Sequence, residues 1–246
     1  MRPILAALLL LLPLPVPPAA AGPWPRAPGV AYVFTGLEHE VNGWNALYVE
    51  YGLPWRDLTL GLEAGARLAG TVTANPDHPM EGRARLFVRL PVLSGSDRRA
   101  ARPPWLEPWL MAVELGVAVD HDPLALDRDL RPAPYTHLRG SLGVTVGRGL
   151  STPLGDGWTT VDLRTTLGGG DGGGGRRTKA AWTLGVKPTP RIAVDLTVAA
   201  ERARFDSWSV APSVQIGLGR FGDGRIGVIH KDDGRTLMTV GLARTF

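Results

Sequence analysis

The sequence predicts an all-β fold, a transmembrane antiparallel up-and-down β-barrel of about twelve strands that is preceded by a signal peptide. Three observations lead to this class: long segments of alternating apolar and polar residues, a secretory signal at the N-terminus, and a last strand that ends on Phe246. In that strand Met238, Val240, Leu242 and Phe246 share one face. A terminal aromatic suits a strand that ends at a membrane interface, where aromatic rings are enriched.

The N-terminus has the layout of a cleavable secretory signal. Arg2 precedes an apolar run at residues 4–12, and three alanines follow at residues 19–21. The apolar run is about ten residues long, whereas a spanning helix needs roughly twenty. We therefore predict a signal peptide over residues 1–21 and one exported barrel domain over residues 22–246. The absence of cysteine excludes disulfides and a cysteine-linked lipid anchor.

The composition favours turn-rich β structure over helices. The chain has 32 glycines, 22 prolines and 20% charged residues. Its mean hydropathy of +0.01 is the average expected when each strand shows one face to lipid and the other to water. The pI of about 9.8 is high, but the basic residues are scattered through alternating segments and form no patch. Nucleic acid is therefore not a predicted partner.

The clearest predicted strand covers residues 57–68. Its even positions are leucine or alanine, and its odd positions include Thr59, Glu63 and Arg67. A strict period of two over this length excludes a helical stripe. Residues 83–90 repeat the pattern, with arginines opposite aliphatic side chains.

The same alternation of apolar and polar residues, less regular in some segments, predicts the other strands. They cover residues 30–37, 44–53, 109–119, 138–146, 159–167, 180–186, 192–200, 208–218, 225–230 and 236–246. Most are long enough to cross a bilayer as tilted strands. The count of about twelve returns both termini to the periplasm, and ten or fourteen strands are the alternatives.

The connections are predicted to differ at the two ends of the barrel. Short turns at residues 54–56 and 188–190 fall on the periplasmic side, and longer segments at 69–79, 120–134 and 168–175 fall outside, as barrels of this kind require. Residues 94–104 depart from this rule, because they form a long periplasmic connection that carries three arginines.

Aromatic residues near the ends of the predicted strands indicate membrane-interface girdles. The predicted girdle residues are Trp44, Trp55, Trp109, Trp158, Trp182, Trp208 and Phe246. The alternative is that the tryptophans fill a soluble core.

The polar faces are predicted to line a lumen. The predicted pore-lining residues are Arg83, Arg85, Arg89, Arg67, Glu63, Glu114, Arg139 and Arg164, and Lys187, Arg191, Asp195 and Glu201 share the same face. The first three arginines form a ladder on one strand, and such ladders favour anions in pores. Alternatively, the arginines pair with Glu63, Glu114 and Asp195 in a salt-bridge network that plugs the barrel. Barrel size does not separate these alternatives, because about twelve strands lie between filled and open barrels.

Catalysis is weakly supported by the sequence. His137 and Ser141 share one face of a strand but lie about 13 Å apart along it, too far for a direct hydrogen bond. The acidic segment with Asp120, Asp122 and Asp127 lacks the glycine and spacing of a calcium loop. No catalytic residue, metal or cofactor is predicted.

The signal, the alternating strands and Phe246 together resemble the outer-membrane β-barrel protein class of Gram-negative bacteria. One departure is Arg244, because its lipid-facing position usually carries an aromatic or aliphatic residue; the side chain can extend to the headgroups. The runner-up fold is a soluble β-sandwich or lipocalin-like barrel in which the apolar faces point inward.

The resemblance implies that the protein lies in the cell outer membrane, and it leaves three functions open for the barrel. The predicted function is a passive pore for small, anionic solutes. A plugged barrel with a structural or envelope-interaction role is the alternative, and an enzyme that modifies lipid or lipopolysaccharide is third. The implied partners are outer-membrane lipid, lipopolysaccharide and the barrel-assembly machinery, which would bind the C-terminal strand.

Overall fold

The computed structural model describes residues 26–39, 44–55, 57–67, 82–93, 109–122, 135–168, 176–202 and 206–246. Twelve strands lie within these ranges: β1 (Ala31–His39), β2 (Trp44–Gly52), β3 (Thr59–Arg67), β4 (Gly82–Leu93), β5 (Trp109–Asp122), β6 (Tyr135–Thr152), β7 (Gly155–Leu167), β8 (Arg177–Thr189), β9 (Ile192–Arg202), β10 (Asp206–Gly217), β11 (Asp223–Lys231) and β12 (Thr236–Thr245). A turn of 3-10 helix, Gly219–Phe221, joins β10 to β11. No helix in these ranges is long and apolar enough to span a membrane.

The strands form a closed barrel in which each strand pairs with its neighbours in sequence and β12 pairs with β1. At the seam the Phe246 N–H donates to the Ala31 carbonyl at 2.8 Å, and the Ala31 N–H donates to the Phe246 carbonyl at 3.1 Å. Closure leaves no unpaired strand edge, which hydrocarbon would penalise by several kcal/mol per unsatisfied group. The predicted twelve-stranded antiparallel barrel is confirmed.

Several strands are longer than the sequence pattern predicts. The segment predicted at 138–146 extends as β6 from Tyr135 to Thr152. Glycines interrupt the apolar alternation beyond residue 146, but β7 still pairs with this stretch from Gly147↔Thr160 to Thr152↔Gly155. Backbone hydrogen bonds to β7 therefore maintain a strand that side-chain periodicity alone does not reveal.

The aliphatic faces of the strands point away from the barrel axis. Leucine, isoleucine and valine side chains on this surface are well exposed; examples are Leu86, Leu115, Val161, Ile226 and Val240. A continuous apolar exterior of this kind suits lipid, because soluble proteins do not expose large contiguous apolar surfaces. The alternative of a soluble sandwich or lipocalin-like barrel is wrong, since it requires these side chains inside.

Most of the connections that the structure describes lie at one end of the barrel. At one end, here called the turn end, short connections at residues 53–58, 153–154, 190–191 and 218–222 meet the start of β1 and the end of β12. At the opposite loop end, the described connection is 232–235. Because such barrels place short turns and both termini in the periplasm, we expect the turn end to be the periplasmic end. Residues 1–25, 69–79 and 94–104 lie outside the described residues, so the signal peptide and those connections stay predictions.

We expect an arginine on the lipid-facing surface to lower the free energy of unfolding strongly at mid-height and only weakly at the turn end. Val161→Arg places a charge midway along β7, where the cost is about 2 to 4 kcal/mol. Leu154→Arg, in the β6–β7 turn, is the matched control with a cost near zero to about 1 kcal/mol. Urea unfolding in lipid vesicles, followed by tryptophan fluorescence, measures both. Equal costs for the two variants would contradict the assigned membrane position.

Candidate functional site: the charged barrel interior

The inner face of β4 carries the predicted arginine ladder, interrupted by Phe87. Strand register sets Arg85 opposite Glu63 on β3 and Arg89 opposite Glu114 on β5. These arginines and Glu114 are at least nine-tenths buried. The period of two forces these side chains into the interior, because alternate positions on the strand face lipid. The ladder is thus flanked by carboxylates on both neighbouring strands.

Arg85 lies between two carboxylates. Its Nε and Nη2 donate to the two Glu63 oxygens at 3.1 and 3.2 Å, and Nη2 also donates to Glu114 Oε2 at 2.9 Å. The guanidinium carbon is 4.0 Å from the centroid of the Phe87 ring. Ion pairing and stacking together fix the plane of this guanidinium.

Arg89 extends the network towards the turn end. Its Nε and Nη2 donate to Glu114 Oε1 at 2.9 and 2.6 Å, and Nη1 donates to Glu50 on β2. Tyr48 accepts a bond from Arg89 Nη2 at 3.2 Å and donates its own proton to Glu50. Glu50 is only 1% exposed, so its charge depends on these donors.

Arg164 and Arg26 bring charge from elsewhere in the barrel. Arg164 on β7 reaches across to Glu63 on β3, with Nη1 donating at 2.9 Å, and its Nη2 lies 3.5 Å from Glu114. Arg26 precedes β1 at the turn end, donates to Glu50 at 2.5 Å and lies 4.4 Å above the Tyr32 ring. We call Arg26, Glu50, Glu63, Arg85, Arg89, Glu114 and Arg164 the central network. It contains four arginines and three carboxylates, hence one excess positive charge.

A smaller charged cluster lies on the opposite wall. Arg225 on β11 donates to Asp195 on β9 at 2.7 Å and to Ser213 on β10 at 2.9 Å, and the Ser213 hydroxyl donates to Asp195 at 2.9 Å. Asp195 thus pairs with Arg225. The plugged alternative assumed instead that Asp195 pairs with the β4 ladder. Arg225 keeps a side-chain exposure of 37%, which leaves part of this wall accessible.

A vestibule of about 530 Å³ opens above the central network at the loop end. Its floor includes Glu63, Arg85 and Arg164, and Arg83 lies at its side with its guanidinium 5.0 Å from the Trp44 ring. Among the described residues, seven basic and six acidic side chains line it. The vestibule is therefore a polar chamber with charges of both signs.

The remaining predicted lining residues also lie on inward strand positions. Arg139 forms an ion pair with Asp120 at 2.9 Å, and Glu201 forms one with Arg177 at 2.6 Å. Arg67 ends β3 opposite Trp44 of β2, and its side chain lies outside the described part of the structure, so its lining role stays a prediction. The sequence reasoning missed Arg26, Tyr48, Glu50 and Arg225; inward parity along β2 and β11 was the available signal for the last three.

Two predicted girdle residues point into the barrel. A Cβ atom added at Gly65 would lie 2.6 Å from the Trp44 indole, and one added at Gly185 would lie 2.2 Å from the Trp158 indole. Both glycines face the interior, so each provides the space that an inward indole needs. The membrane-interface prediction is wrong for Trp44 and Trp158, because it used only their position near strand ends and not their parity.

The other predicted girdle residues lie outside the lumen. Trp182 and Trp208 are exposed on the outer surface, and Trp55 lies in the β2–β3 turn. Trp109 stacks with Arg148, whose guanidinium is 5.3 Å away, and Phe246 lies 4.7 Å from the Arg244 guanidinium. Their placement at a membrane interface stays a prediction.

Comparisons with known proteins identify the fold. No protein-family model and no curated protein sequence matches the chain. Among solved structures, the chain is similar to the KdgM porin at 8% identity, with a TM-score of 0.54 over 87% of this chain and 99% of that chain. The KdgM porin in complex with disordered oligogalacturonate gives 8% identity and a TM-score of 0.53 over the same shares.

A low-pH structure of Pseudomonas putida OprB is more distant, with 10% identity and a TM-score of 0.37 over 88% of this chain and 91% of that chain. At identities this low the likeness to KdgM shows the fold alone. Together with the twelve-stranded closure and the aliphatic exterior, it shows that this chain has the fold of the outer-membrane β-barrel class.

Proposed function

We propose that this barrel is a passive outer-membrane pore for small polar solutes, with a vestibule at its outer mouth and the central network as its constriction. The observation that carries the proposal is the vestibule of about 530 Å³, whose floor is formed by Glu63, Arg85 and Arg164. A charged chamber that narrows onto fixed guanidinium and carboxylate groups has the design of a selective pore.

The constriction is one-sided. On the wall formed by β2 to β5, Glu50 and Phe87 are 1% exposed and Glu114 is 2% exposed. On the opposite wall, Asp195 and Ser213 are also buried, at 5% and 6% exposed, whereas the inward residues Thr183 and Gln215 are only partly buried. The central network therefore fills one side of the lumen, and we infer that solutes pass along the β8 to β11 side.

The charge balance favours small anions modestly. In the part of the chain that the structure describes, the vestibule has one more basic than acidic side chain, and the central network carries one excess positive charge. Arg85 and Arg89 are largely compensated by carboxylates, so the ladder acts as part of a mixed-charge constriction and not as a free row of cations. The similar KdgM porin has been solved with an acidic sugar oligomer, oligogalacturonate, which agrees with a preference for anionic solutes in this fold.

A plugged barrel with a structural role is the second candidate. Its specific support is Arg26, which enters from the turn end and pairs with buried Glu50 beneath Arg89. Arg164 adds a link across the lumen from β7 to β3. If these contacts fill the whole cross-section, the barrel conducts nothing, and conductance separates the two candidates.

We expect the refolded barrel to give discrete conductance steps in planar bilayers, and Arg164→Ala to raise their size. Removing this side chain takes away the link across the lumen and leaves Glu63 paired with Arg85. Arg202→Ala is the matched control, because Arg202 is an exposed residue at the loop end that pairs with Asp206 and does not line the vestibule. Silence of both the native protein and Arg164→Ala, with folding verified by heat-modifiable gel migration, would establish the plugged barrel.

Ion selectivity should shift in opposite directions when single charges of the interior are neutralised. Glu63→Gln removes a carboxylate from the vestibule floor, so anion permeability relative to cation permeability should rise. Arg83→Gln removes a cation beside the same chamber, so that ratio should fall. Reversal potentials in a salt gradient measure both variants. Two shifts of the same sign, or none, would contradict the role of these residues in the conducting path.

We expect the central network to matter for stability more than the peripheral ion pairs. Glu114→Gln weakens the pairing of buried Arg85 and Arg89, and breaking a buried pair costs about 3 to 5 kcal/mol. Glu201→Gln is the matched control, because the side chains of Glu201 and its ion-pair partner Arg177 are 23% and 30% exposed. Partly exposed ion pairs contribute about 0 to 1 kcal/mol to stability. Urea unfolding in vesicles gives the free energy of unfolding of both variants. A similar decrease for both would show that burial of the ion pair does not set the loss of stability.

A further inference from the structure

The lipid-facing wall contains an apolar groove across β10, β11, β12 and β1. Gly224 on β11 stands between Ile216 on β10 and Leu242 on β12, in the outward-facing row. Because Gly224 has no side chain, this position leaves a groove of about 490 Å³, lined mainly by Leu37, Ile216, Leu218, Ile226, Val240 and Leu242. Walls of this composition do not hold water, so a hydrocarbon chain is the occupant that fits.

Two arginines lie at the turn end of this groove. Arg220 is in the connection between β10 and β11, and Arg244 lies on the outward face of β12, two positions beyond Leu242. Gly222, two residues after Arg220, lies close to Arg244, because a Cβ atom added at Gly222 would be 3.2 Å from Arg244 Cβ. The groove therefore has a basic end at the height of the periplasmic interface.

Each of these arginines lies over an aromatic ring. The Arg220 guanidinium is 4.9 Å from the Phe221 ring, and the Arg244 guanidinium is 4.7 Å from the Phe246 ring. Among the described residues neither guanidinium forms an ion pair. A stacked guanidinium keeps its N–H donors at the ring edge, where they can bind the oxygens of a phosphate in a bidentate manner.

We propose that this groove binds an anionic phospholipid of the periplasmic leaflet, with one acyl chain over Gly224 and the phosphate at Arg220 and Arg244. The charge of the headgroup complements the two arginines, and the apolar walls match the chain. The position at the turn end selects phospholipid, because that end faces the periplasm. The site also gives a role to Arg244, whose outward neighbours on β12, Met238, Val240 and Leu242, are apolar. It is independent of whether the lumen conducts.

Native mass spectrometry of the folded barrel, released from micelles containing phosphatidylglycerol or phosphatidylcholine, tests the proposal. The native protein should retain phosphatidylglycerol in preference to phosphatidylcholine. Arg220→Gln and Arg244→Gln should each weaken that retention roughly fivefold, the effect of one basic side chain at a membrane surface. Gly224→Val should weaken it by filling the groove; its Cβ would lie 3.2 Å from Leu218 Cδ1, so the end of the Leu218 side chain must shift by a few tenths of an ångström.

Two variants on the lipid-facing surface elsewhere serve as matched controls. Arg148→Gln removes an outward arginine that stacks on Trp109, and Gly140→Val fills an outward glycine whose nearest atom would be 4.0 Å away. Both should retain the lipid as the native protein does. Equal retention of the two lipids, no effect of the groove variants, or equal losses in the controls would each overturn the proposal. Heat-modifiable gel migration confirms that every variant is folded.

Discussion

Hydrogen bonding between β1 and β12 is the constraint on which the rest of the molecule depends. Hydrocarbon offers no partner for a backbone amide, so the sheet must close on itself. Closure then assigns alternate side chains of every strand either to lipid or to a confined interior. Aliphatic residues such as Leu115 and Val240 take the outer positions, and the charged residues between them are forced together inside. The central network is a consequence of that confinement.

Charges confined in this way must compensate each other, because an unpaired buried charge is far more costly than a paired one. Glu114 illustrates how the barrel meets this requirement. It lies between Arg85 and Arg89 of the adjacent strand and also faces Arg164 of β7, two strands away on its other side. The network is dense beside β2 to β5 and sparser beside β8 to β11. The constriction of the proposed pore rests on this asymmetry, which does not require that the whole interior be filled.

The inner and outer surfaces use arginine for different purposes. Inside, Arg85 and Arg89 are neutralised by carboxylates and held against Phe87. Outside, Arg220 and Arg244 lie over aromatic rings at the turn end, beside an apolar groove. The partner of each arginine follows from its surroundings: a carboxylate in the polar lumen, and an anionic headgroup at the membrane interface. One barrel can thus combine a solute path with a lipid site on its opposite surface.

The sequence by itself determined the strands and, for the regular ones, which face each residue occupies. It did so because a period of two is a local property: Leu86 and Arg85 must point in opposite directions whatever the rest of the chain does. The ladder and Glu63 were therefore assigned correctly to the interior. The tryptophans at 44 and 158 were misplaced because proximity to a strand end says nothing about the side on which an indole lies.

Only the tertiary structure decided which charges meet. Arg164 and Glu63 are 101 residues apart, and their contact requires the sheet to curve until β7 faces β3. Arg26 reaches Glu50 because the chain before β1 folds under the turn end. Glu50 lies on a strand with aromatic residues on both faces, Tyr48 inside and Tyr51 outside, so its alternation gave a weak signal. Barrel curvature and strand register, which are properties of the closed sheet, fix these contacts.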